Sequence, residues 1–149
     1  MNRLFAFVAR RLRWLIRVPF FPQIFDSMLL AWTCLTRRSR LAAMTTLEKA
    51  LGNGVGLAVH RFGGTEFLDA RGRPLGHVHG HGLLDVRLNR KQARALITEG
   101  RVQAHHVFPD SGWVSFQLET PADVPFAIAL LGFAGEQTSA GKKATVSGA

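Results

Sequence analysis

Two short stretches hold most of the residues that could do chemistry. GHVHGH (76–81) places His77, His79 and His81 at every second position, and AHHVFPDSGW (104–113) adds His105, His106, Asp110 and Trp113. In an extended strand, side chains two residues apart leave the same face with a spacing of roughly 7 Å. His77, His79 and His81 would then bring three imidazoles together. Two readings of such a row stay open: a solvated polar face, or a surface built for a ligand. Gly76, Gly80 and Gly82 favour the second, because glycine weakens a strand unless something must approach its backbone. Three imidazoles could also hold a divalent metal. No Asp or Glu follows at a ligand-like interval, however, and Asp85 is expected to point from a different strand. The main expectation is therefore no metal, with a divalent metal on the histidine cluster as the minority reading.

If residues 105 and 106 are extended, their side chains take opposite faces and only one joins the first row. Asp110, in a PDSG turn, either orients a histidine or simply serves turn geometry. Trp113 alternates away from Val114 and Phe116, which puts it on the histidine side or under the N-terminal segment. An indole beside imidazoles makes a floor for a flat organic ligand. Arg61, in HRFGG, is either a surface arginine or a positive charge for an enolate or carboxylate.

These residues need a scaffold, and the chain has room for one domain with a core: 149 residues, 47% of them hydrophobic. Thr45 and Glu48 match a capping box that starts a short helix. Four strands follow, within 54–62, at TEFLD, at LGHVHGH and at LLDVRL with Val86 and Leu88 inward, separated by Gly63-Gly64 and by DARGRP. They read as an antiparallel meander. Asn89 caps a helix carrying Ala93, Leu96 and Ile97, which stops at Gly100. VQAHHV and WVSFQLE give two more strands. Thr120, Pro121 and Asp123 open a last helix with a core stripe of Val124, Ala127, Ile128 and Leu131. Its other apolar residues, Phe126, Leu130 and Phe133, call for a second partner, either the N-terminal arm or another subunit in a homodimer. The expected fold class is α+β, a small antiparallel sheet flanked by helices in the order α-β-β-β-β-α-β-β-α.

Around this domain, taken as 45–134, the composition changes sharply. Residues 1–44 hold eight arginines against Asp26, a balance of +7 that leaves only +2 of the total +9 for the remainder. Charge so localised argues against a nucleic-acid face and for an arm suited to anionic lipid or an acidic partner. RLFAFVARRLRWLIR (3–17) alternates apolar residues and arginines at helical spacing, the pattern of an interfacial helix. Residues 18–36 are nearly long enough to span a bilayer but contain Pro19, Pro22, Gln23 and Asp26. Peripheral attachment, a single span and packing on the domain all remain open for this arm, and the expected location is the cytoplasmic face of a membrane. Residues 135–149 are small and polar and read as a disordered tail. Cys34 is the only cysteine, so no intrachain disulfide forms.

HRFGGTEF (60–67), GHVHG (76–80) and above all HHVFPDSGWVSF (105–116), followed by a helix near Asp123, resemble the luciferase-domain family, relatives of the fungal luciferase found widely among bacteria. The resemblance covers about 45–134. It implies an oxygenase-type enzyme acting on a small enolisable aromatic or pyrone-like substrate, with molecular oxygen as co-substrate and no organic cofactor. His77, His79 and His106 match the family's histidines and would be catalytic; Trp113, with Arg61 and Asp110, would bind substrate. His81 and His105 are expected to be bystanders. Fungal members also carry an apolar membrane-attaching N-terminal segment, to which residues 1–44 are similar. Here the histidines are followed by GHGLLDVRL, and the chain is much shorter than the fungal enzymes. A second resemblance, of architecture alone, is to small bacterial proteins of the YjbR type, and implies a noncatalytic module binding a small ligand or nucleic acid.

Overall fold

The computed structural model describes residues 20–146. The amphipathic helix expected over 3–17 lies outside the described residues. Those described form an α+β fold with a six-stranded, wholly antiparallel sheet. Helices α1 (Phe21–Thr36) and α2 (Arg38–Leu51) precede strands β1 (Gly56–Val59), β2 (Thr65–Leu68), β3 (Pro74–Val78) and β4 (Leu83–Arg87). Helix α3 (Arg90–Thr98), strands β5 (Gln103–Ala104) and β6 (Trp113–Gln117) and helix α4 (Val124–Val146) complete the order. Across the sheet the strands run β1-β2-β3-β4-β6-β5.

One device repeats through the meander. His60 and Gly64, Asp69 and Arg73, and His79 and Leu83 each close a loop of three residues by backbone hydrogen bonds, and the third loop residue, Gly63, Gly72 or Gly82, has φ of 90°, 72° or 83°. A three-residue hairpin needs a left-handed residue there, which glycine adopts without a Cβ clash. Loop length then fixes register, pairing His77 with Asp85 across β3 and β4, and Asp85 with Ser115 across β4 and β6.

The sheet has two unlike faces. Val78, Leu84, Val86 and Val114 point toward α2, α3 and α4 and form the core with Ala43, Met44, Leu47, Leu96, Leu118, Leu130 and Leu131. Gly76 lacks a side chain because a Cβ there would meet the Asp85 carbonyl at 2.6 Å. The opposite face carries His77, Asp85 and Ser115, and α1 lies over its end, where Leu29 and Phe25 pack on Leu83.

Several expectations are corrected. No helix begins at Thr45: α2 starts at Arg38, because Leu41, Ala42, Ala43 and Met44 are good helix formers, and the Thr46 hydroxyl bonds back to the Ala42 carbonyl at 2.7 Å. The compositional break at 44 thus falls inside a helix that supplies core residues. In α4 it is Leu130, not Ile128, that is fully buried, and α2 is the second partner its apolar circumference called for. The tail expected to be disordered from Gly135 is helical through Val146; no proline interrupts it, and Glu136, Gln137, Ala140, Lys142 and Lys143 favour helix. The Asn89 cap holds, its side chain accepting the Gln92 amide at 2.8 Å, as does the capping box of Thr120 and Asp123. No described helix is long and apolar enough to cross a membrane.

Candidate functional site

Asp85 is the centre of the polar face. It is a carboxylate with no exposed surface, and its register partners are His77 on one side and Ser115 on the other. The Ser115 hydroxyl donates to Oδ1. Three imidazole nitrogens surround Oδ2: Nε2 of His79 at 3.3 Å, of His105 at 3.5 Å and of His77 at 3.6 Å. Trp113 flanks the group, its ring 5.8 Å from those of both His77 and His105. His60 stacks on His77 at 3.8 Å, nearly parallel.

Each imidazole is held differently. His79 is reached from the far side by α1: its Nδ1 lies 3.3 Å from Asp26 Oδ1, which also accepts the Gly80 amide at 2.9 Å. That contact explains Gly80, since a Cβ there would lie 2.6 Å from the Asp26 carbonyl and 2.8 Å from the Leu30 amide. A helix backbone is what approaches. His105 sits just beyond β5, where the chain turns, and its Nδ1 accepts the amides of Val107 and Phe108, both at 3.1 Å. Accepting at Nδ1 places the proton of its neutral ring on Nε2, facing Asp85.

The electrostatics follow this wiring. Burial lowers the His79 pKa, but the hydrogen bonds and charges of Asp26 and Asp85 outweigh it and raise it to about 9. His77 is pushed down to about 3 by burial and by the neighbouring charge of His79; His81 falls to about 4 for the same two reasons. Burial also lowers His106 to about 4. Burial would raise the Asp85 carboxyl, yet His105 and His79 hold it well below the usual carboxylate range. At neutral pH Asp85 is a buried anion, His79 is a cation, and His77, His81 and His106 are neutral imidazoles.

Of the residues singled out in the sequence, the structure brings together His77, His79 and Trp113. His106 stacks on His105 at 4.4 Å and is half-buried at the margin. Arg61 is exposed, its guanidinium 4.5 Å over the Phe62 ring, and Asp110 is exposed in its turn outside the cluster. His105, expected to be a bystander, is in contact with Asp85, and His81 is buried in the β3–β4 loop beside His79. Asp85, expected to point from a different strand, does lie on the neighbouring strand, but directly across from His77, because strands in register present partners on one face. A cavity of about 410 Å³ lies elsewhere, lined by Leu51, Val55, Arg71, Leu75, Leu131 and Gly135.

Fold and site together define a small α+β domain with a histidine–carboxylate centre on one sheet face. Residues 72–134 match the model of the luciferase-domain family. The matched stretch runs from the β2–β3 loop into α4 and contains His77, His79, Asp85, His105, His106 and Trp113; the HRFGGTEF block and Asp26 fall outside it. No curated protein matches the chain, and no solved structure does.

Proposed function

We propose that this protein is an oxygenase-type enzyme acting on a small enolisable aromatic or pyrone-like substrate, with molecular oxygen as co-substrate. The observation that carries the reading is the convergence of three buried imidazoles on one buried carboxylate beside Trp113, in a stretch that matches the luciferase-domain family. A merely solvated polar face would leave these side chains in water, and burying a charge without such a purpose is costly.

Substrate reaches the cluster at its Trp113 and His106 edge, where both side chains are half-buried and Phe108 is 54% exposed. The indole supports the ring. The enol proton passes to a neutral imidazole nitrogen, His106 at the rim, and the resulting enolate is stabilised by the positive charge at His79 in surroundings that exclude water. Its carbon then bonds to oxygen, and the terminal oxygen takes the proton back from His106. The substrate is oxidised by two electrons and oxygen is reduced to the hydroperoxide level.

The test is oxygen uptake by the purified full chain with a panel of polyketide pyrones and phenols, beside His79→Ala and His106→Gln. Uptake with a subset of substrates, reduced at least about 100-fold in the variants, is expected. Equal uptake in the variants, or none with any substrate, sinks the reading. The noncatalytic alternative gains from that second outcome if the same compounds still bind.

The arm favours membrane-surface attachment. On α1, Ile24, Met28, Trp32 and Leu35 are 58–80% exposed on the side away from Asp26, and in the sequence the arginine-rich stretch 3–17 precedes this helix.

A further inference from the structure

Oδ2 of Asp85 is fully buried, and no hydrogen bond reaches it at normal length. Three ring nitrogens stand 3.3, 3.5 and 3.6 Å away instead. They are not equivalent. His105 accepts two backbone amides at Nδ1, so its Nε2 carries the hydrogen of the neutral ring and faces Asp85 Oδ2 at 3.5 Å. His79 is wired the other way round. Asp26, an acceptor, makes Nδ1 the donor, so in the neutral ring Nε2 presents a lone pair to Asp85 Oδ2. Lone pair against carboxylate is repulsive unless a cation lies between them, either a proton on Nε2 or a metal ion. His77 Nε2 borders the same gap, and the donor atoms of His77, His79 and Asp85 all lie within 4.8 Å of one another.

The spacing fits something larger than a proton. Ligand atoms bound to one ion at about 2.0–2.2 Å stand about 2.8–3.6 Å apart at octahedral or tetrahedral angles, which embraces the two imidazole–carboxylate separations. A carboxylate behind a ligating histidine, as Asp26 is behind His79, is also the usual support of a metal-bound imidazole.

We propose that His77, His79 and Asp85 bind one divalent first-row transition-metal ion, with Asp26 as a positioning residue and His105 as a donor to Asp85, not a ligand. Two histidines and one carboxylate leave coordination positions open, the arrangement that suits ferrous iron in oxygen-using enzymes. Metal binding rests on geometry alone; only its use with oxygen rests on the function proposed above.

Cobalt(II) is the probe, titrated into chelator-treated full-length protein in a Cys34→Ser background, which removes the exposed thiol. One equivalent should bind with visible ligand-field bands. His79→Ala and Asp85→Asn should weaken binding more than about 100-fold, Asp26→Asn by about 10–100-fold, and His105→Gln by no more than a few-fold. Failure to bind one equivalent, or unchanged affinity in His79→Ala and Asp85→Asn, overturns the site. A loss in His105→Gln equal to that in Asp85→Asn overturns the ligand assignment. Circular dichroism checks folding, and if Asp85→Asn is unfolded, His77→Ala and His79→Ala decide. Oxygen uptake that persists in metal-free protein removes the metal from the reaction and keeps the enzyme; stoichiometric cobalt without uptake of oxygen by iron-loaded protein keeps the metal site and removes the enzyme.

Discussion

A double-mutant cycle on Asp26 and His79 tests whether α1 is a structural part of the histidine face. Asp26 Oδ1 receives two donors, the Gly80 amide at 2.9 Å and His79 Nδ1 at 3.3 Å, with only 7% of the residue exposed. A hydrogen bond to a charged group contributes about 1.5–3 kcal/mol, and the long His79 contact belongs at the low end. Asp26→Ala should therefore destabilise by about 3 kcal/mol, lowering Tm by roughly 6–12 °C for a chain of this size. Asp26→Asn keeps an acceptor for the Gly80 amide and should cost about half as much. The Asp26→Ala and His79→Ala effects should fall short of additivity by about 1–2 kcal/mol. Urea unfolding followed by circular dichroism supplies all the free energies. A loss below about 1 kcal/mol in Asp26→Ala, or a coupling within the additivity error of about 0.5 kcal/mol, would refute the docked position of α1.

Two other outcomes follow from features already described. Gly80→Ala forces a Cβ against the backbone of α1 and should cost about 1–3 kcal/mol by overpacking; Gly72→Ala, at positive φ but with nothing within 4 Å, should show only backbone strain of about 1–2 kcal/mol in the same unfolding assay, with the imidazole N–H signal of His79 in proton NMR lost in the first and kept in the second. Met28→Glu with Trp32→Glu should weaken sedimentation with anionic vesicles at least about tenfold while leaving Tm unchanged, since both side chains are exposed; binding as tight as wild type would exclude this face as the contact.

The meander was legible because its signals are local. Alternation marks the strands, a glycine closes each three-residue loop, and Asn89 and Thr120 cap the helices that follow. What escaped depends on partners distant in sequence. Asp85 sits among leucines and valine in LLDVRL, and nothing within that segment shows that it faces His77. The loop Gly80-His81-Gly82 holds the clue, for its three-residue length sets the pairing. Alternation allowed only one of His105 and His106 to join the cluster, and the family resemblance pointed to His106; just beyond β5 the chain turns, and its own amides orient the His105 ring instead. Asp26 was hidden by an apolar, arginine-flanked setting, and a single acid there reads as an interruption of a membrane segment until His79 is seen beside it.

The three hairpin loops carry a constraint of heredity as well as of geometry. Side chains on a strand alternate strictly, so gaining or losing one residue in Gly80-His81-Gly82 would rotate β4 by one position, turning Asp85 into the leucine-lined core and Leu84 and Val86 out toward the histidines. Point changes at such a loop can be survived singly, but an insertion or deletion dismantles the centre without touching any residue in it. Among diverging copies of this domain, the length of that loop should therefore be preserved at least as strictly as the histidines themselves, and a copy with an altered loop has given up the chemistry whatever its histidines.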